Sequence, residues 1–102
     1  MKDSIMAKSD WRTIQFFLSV RGVFEVQIDL ESDGARCNCP EFKSREGCKH
    51  SRYVVKKIRG NNGVYPMKVS SRASQEEIKR ANESTADEFR EFVVNFSKIE
   101  VL

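Results

Sequence analysis

Four residues within a fourteen-residue stretch constrain this chain more than any other feature. Cys37 and Cys39 form a Cys-x-Cys pair, eight residues intervene, and Cys48 and His50 form a Cys-x-His pair. These are all three cysteines and the one histidine that the sequence holds. Residues two apart in a strand point to the same face, so Cys37 and Cys39 can direct both sulfurs at one ion. Three thiolates and one imidazole make a Cys₃His set, the ordinary donor complement of structural zinc, whereas calcium and magnesium want oxygen. A disulfide framework wants an even count and an oxidising compartment, and neither is indicated. Two alternatives remain open from the residues alone. Cysteines also serve as small buried hydrophobes, and an iron–sulfur cluster takes four cysteines or a Cys₂/His₂ arrangement. The tight pairing favours one structural zinc.

The residues beside the four donors carry a family resemblance. Cys37-Asn38-Cys39-Pro40-Glu41-Phe42, followed by Gly47-Cys48-Lys49-His50, resembles the SWIM zinc-finger signature, with Pro40, Phe42, Gly47 and Lys49 similar to the residues usually found there. The resemblance spans about residues 23–58. It implies a ββα zinc module that acts in DNA binding or protein interaction and has no enzymatic activity of its own.

Around that module the hydrophobic pattern predicts an α+β fold in one domain over 11–102, after a flexible leader over 1–10. Ile14, Phe16, Leu18 and Val20 recur at period two, the mark of a strand with one buried face. Phe24, Val26, Ile28 and Leu30 alternate with Glu25, Gln27 and Asp29 in a second strand. Ser32-Asp33-Gly34 signals a turn into a short returning strand over 35–39, giving an antiparallel meander of three strands. Cys48 to Arg59 reads as a helix ended by Gly60 and the Asn61-Asn62-Gly63 turn. Val54, Val55 and Ile58 fall on one side of it, and Lys49, Arg52, Lys56 and Arg59 on another. The stretch 64–69 is ambiguous, with an extended form around Pro66 expected. Further on, Ser74…Glu77 and Thr85…Glu88 have capping-box spacing and open two helices within 74–98. The second carries Phe89, Phe92, Val93 and Phe96 on one face, the expected cover for the apolar face of the meander.

Charge and composition narrow the function. The chain has 102 residues, 39% hydrophobic and 32% charged, with a net charge of +3, a size that leaves no room for a large enclosed substrate cavity. Between Lys43 and Arg59 stand seven bases (Lys43, Arg45, Lys49, Arg52, Lys56, Lys57 and Arg59) against the single acid Glu46. Such a cluster, with Tyr53 beside it to stack on a base or sugar, suits nucleic-acid binding, DNA first, through phosphate contacts. The rival reading is a protein-interaction adaptor whose basic stripe is paired with its own acidic segment, where six acids outnumber three bases between Ser74 and Phe92. Catalysis is not expected. With His50 on a metal no imidazole remains for acid–base work, and a four-donor ion has no open position for water. No small-molecule substrate and no membrane span are expected, and the lack of a secretory-type apolar run points to a cytoplasmic, reducing setting.

Overall fold

A computed structural model describes residues 9–32, 34–45 and 47–102. The leader expected over 1–10 therefore lies outside the described residues except for Ser9 and Asp10, as do Asp33 of the predicted turn and Glu46 of the basic cluster. Four strands and four helices follow in the order β1 (Trp11–Ser19), β2 (Gly22–Asp29), β3 (Ala35–Cys37), α1 (Pro40–Arg45), α2 (Lys49–Arg59), α3 (Gln75–Asn82), α4 (Ala86–Phe96) and β4 (Glu100–Val101). The fold is α+β, and one sheet in the order β3-β2-β1-β4 organises it.

The predicted meander accounts for three of these strands. β1, β2 and β3 pair antiparallel, but β4 joins β1 in parallel, Phe17 beside Glu100 and Leu18 beside Val101, so the sheet is mixed rather than a pure antiparallel meander. The β1–β2 hairpin turns through Val20 and Arg21 and re-enters at Gly22, whose φ of 131° lies where a side chain is strained. Asp29 closes the other end of β2. Its carboxylate accepts from the Asp10 and Glu31 amides at 2.8 and 3.1 Å and from the Ser32 hydroxyl at 2.7 Å.

The face expected to be buried on β1 is corrected by a β-bulge. Pairing steps from Thr13–Gln27 to Gln15–Val26, leaving Ile14 as the extra residue. One inserted residue reverses the facing of all that follows it. Hence Phe17 is fully buried (0% exposed) while Leu18 is exposed (43%), and Val20 stands in the hairpin turn beyond the strand. Gln15 and Phe17 join Phe24, Val26 and Cys37 on one face, with Ile14 also buried in their cluster. Phe16, Leu18, Val23 and Glu25 look the other way.

The two faces have different covers. α2 packs its Val54, Tyr53 and Ile58 against the Phe17–Val26 face, joined by Tyr65, Met67 and Leu102. α4 covers the opposite face, where Val93 is buried near Phe16 and Arg90 grips Glu25 at 2.9 Å. The phenylalanine helix thus covers the sheet, but not the face with the most regular apolar alternation, which α2 occupies. Both C-terminal helices have the expected caps: Ser74 accepts from the Glu77 amide at 3.0 Å and Thr85 from the Glu88 amide at 3.2 Å, each returned by the glutamate. Residues 64–69 run outside the named elements and meet α4's end through a bridge between Val69 and Ser97.

Candidate metal centre and basic helix face

Each donor is placed by a different local structure. Cys37 is the last residue of β3, Cys39 immediately precedes α1, Cys48 is the N-cap of α2 and His50 lies in its first turn. Cys48 takes the place usually filled by serine or aspartate. Its sulfur accepts from the Ser51 amide at 3.4 Å, and the Ser51 hydroxyl accepts from the Cys48 amide at 3.1 Å. A donor is therefore built into the start of the helix, and His50 is carried round by that same turn.

All four side chains are buried, and their ligating atoms lie within 4.8 Å of one another. His50 Nδ1 stands 3.6 Å from Cys37 Sγ and 3.8 Å from Cys48 Sγ. A tetrahedral zinc with Zn–S of about 2.3 Å and Zn–N of about 2.0 Å separates nitrogen and sulfur by about 3.5 Å. The three cysteines are free, not joined by disulfides. Donor type, burial and spacing agree, and the four residues form one Cys₃His site that fits a single structural zinc.

The electrostatics of the donors say why a cation belongs there. Burial pushes the Cys37 thiol up to about 12, and the neighbouring Cys48 and Cys39 sulfurs add to it. Burial acts the same way on Cys48, but hydrogen bonds to Ser51, Cys39 and Cys37 outweigh it and hold that thiol below its usual range. Burial likewise lowers the His50 imidazole, opposed by the Leu102 backbone beside it, so the ring favours its neutral, ligating form. A bound divalent cation supplies the charge that makes three buried thiolates tolerable. The ring itself packs beside Phe17 at 4.9 Å and Phe24 at 6.0 Å. Its outer nitrogen, Nε2, is buried without a hydrogen-bond partner among the described residues.

The predicted nucleic-acid residues occupy several positions. Lys43 and Arg45 are exposed on α1, and Lys49, Arg52, Lys56, Lys57 and Arg59 are exposed on α2. Arg52, Lys56 and Arg59 come together along one groove. Tyr53 is half-buried, its ring nearly perpendicular to that of Phe17 with centroids 5.4 Å apart, and Lys57 Nζ is 5.4 Å from its ring centroid. Among the described residues no ion pair joins these bases to the acids of α3 and α4. The described pairs are Arg12–Asp10, Lys68–Glu100 and Arg90–Glu25. Nor is any helix of the described residues long and apolar enough to cross a membrane.

Sequence reasoning missed Gln15. This side chain is buried, accepts from the Tyr65 hydroxyl at 2.8 Å, and donates to the carbonyls of Phe16 at 2.9 Å and Lys98 at 2.7 Å. It ties the loop after α2 and the entry to β4 onto the α2 side of the sheet. The two partners that make it matter lie 50 and 83 positions away, so no local pattern points to it.

Comparison with curated proteins and with solved structures gives no match for this chain. Residues 24–55, which run from β2 into α2 and hold all four donors, match the family model described as SWIM zinc finger.

Proposed function

We propose that this chain is a non-catalytic, zinc-stabilised nucleic-acid-binding protein, DNA first, working in a reducing, intracellular setting. The observation that carries the reading is the placement of the bases. α2 turns five of them to solvent on one side of the sheet, while α4, whose Asp87, Glu88 and Glu91 outnumber Arg90, covers the other. A basic face left open in this way attracts phosphates, and each neutralised phosphate releases counterions. The non-catalytic part follows from the donor set, which commits the one histidine and fills four coordination positions.

The test is a mobility-shift titration of the zinc-loaded chain with single- and double-stranded DNA across a salt series. Affinity should fall steeply with salt, and Arg52→Glu with Lys56→Glu should reduce the log–log salt slope by about two, one for each phosphate no longer neutralised. No retardation at low salt contradicts the reading.

A second reading, a protein adaptor, has an observation of its own. Leu18, Val23 and Val101 lie side by side on three neighbouring strands and are exposed, with Val94 and Ile99 next to them. An apolar patch of that kind suits a protein partner. The adaptor reading predicts that Val23→Asp and Val101→Asp abolish partner binding while leaving nucleic-acid affinity as it was.

A further inference from the structure

A groove of about 600 Å³ runs between β3, α1 and α2, and its two sides differ in kind. Its floor is apolar, made by Ala35, Phe42 and Val55, all three half-buried and so still open on one side. Its rim is cationic, made by Arg52, Lys56 and Arg59. Those three stand at i, i+4 and i+7 on one helix, a row about 10 Å long at 1.5 Å per residue. Ser51 also lines the groove, but its hydroxyl is taken up by Cys48. Among the described residues the floor therefore offers carbon surface and no free side-chain donor.

Each nucleotide brings a planar apolar face and a negative charge together, which is what this floor and rim present side by side. In a duplex the base faces are stacked inside, and only hydrogen-bonding edges are shown to a protein. A floor without donors suits a face rather than an edge, and faces are accessible in single strands. We propose that this groove seats an unpaired base of a single-stranded nucleic acid, flat against Phe42 and Val55, with its phosphates on Arg52, Lys56 and Arg59. The inference rests on the nucleic-acid reading and adds the kind of strand and the place of contact. The metal centre sets the groove's width, since Cys39 leads into the helix that carries Phe42 and Cys48 begins the helix that carries the rim.

Fluorescence anisotropy on the intact zinc-loaded chain separates the outcomes. The probes are a twelve-nucleotide oligo(dT), an abasic strand with the same number of phosphates, and a twelve-base-pair duplex, at one salt concentration. Oligo(dT) should bind at least about fivefold more tightly than the abasic strand, the lower end of what one stacked base contributes, and more tightly than the duplex. Val55→Asn keeps every charge and should bring oligo(dT) down to the abasic level without altering abasic binding. Equal affinity for oligo(dT) and the abasic strand, or preference for the duplex, overturns this inference and leaves the nucleic-acid reading standing. Binding of none of the probes overturns both. Displacement of oligo(dT) by an equally charged polyglutamate at the same concentration also overturns it, in favour of an acidic peptide. The comparison of the three probes on the unaltered chain decides the matter even where Val55→Asn does not fold.

Discussion

Cys48 is both a metal donor and the cap of α2, so one side chain sets where that helix begins and which way it points. Economy of this kind recurs at Gln15, where one buried amide makes three hydrogen bonds to three segments. Replacing it by leucine keeps the bulk but strands the Tyr65 hydroxyl and the Lys98 carbonyl. Gln15→Leu should cost about 2–4 kcal/mol in chemical denaturation of the zinc-loaded chain, whereas a freely solvated glutamine would cost nearly nothing. Glu25 makes a prediction in pH. The Arg90 guanidinium bonded to it holds its carboxyl below the usual range, against burial and with help from the Thr13 hydroxyl at 2.6 Å. A lowered folded value means stabilisation that is complete above the ordinary carboxylate range and lost as pH falls through the folded value. The stability gap between the natural chain and Glu25→Gln should thus be about 1 kcal/mol at neutral pH and close as the solution is acidified. A gap that widens in acid contradicts the pairing. At this scale the four donors were legible because their chemistry is written in two short spacings. Gln15 and Glu25 were not, because what makes them matter is a partner far away in the chain.

The elements divide along the same line. α3 and α4 announce themselves through Ser74…Glu77 and Thr85…Glu88, and α2 through its ending in glycine and its two-sided pattern. α1, with six residues, and β4, with two, are too short to show a period. β1 misleads for a different reason. Its apolar residues alternate cleanly from Ile14 to Val20, but the bulge at Ile14 brings Phe17 inward, and that choice depends on the register of β2. β4 matters beyond its length. The Leu102 amide donates to the Leu18 carbonyl at 3.2 Å, and Leu102 packs against the cluster that holds the metal donors, its backbone beside the His50 ring. Groups around a ligating histidine fix its ring and tune its affinity. Removing Glu100, Val101 and Leu102 should weaken zinc about tenfold in competition with a chromophoric chelator, and unchanged affinity would show that β4 plays no part in the site.

For the molecule as a whole, one sheet separates two sets of elements. The metal donors and the basic helix lie on one face, and the phenylalanine helix α4 covers the other. The sequence pattern made both helices visible but left open whether the acidic segment folds back on the basic stripe, because helical periodicity does not say which face of a sheet a helix will cover. Pairing of Arg90 with Glu25 answers it locally, by tying α4 to the side of β2 that points away from the finger. Within this arrangement the core on the face of the metal donors is thin, with cysteines making up three of its eight buried apolar residues among those described. A Cys₃His centre contributes of the order of 10 kcal/mol to such a unit, more than any one hydrogen bond or ion pair within it. The most direct measurement is metal content together with circular dichroism on the purified chain, on Cys39→Ser and on His50→Ala, with and without a strong chelator. One zinc per natural chain, none in either variant, and loss of helical signal on chelation that returns with added zinc is the predicted result. A metal-free chain that keeps its full helical signal contradicts the account.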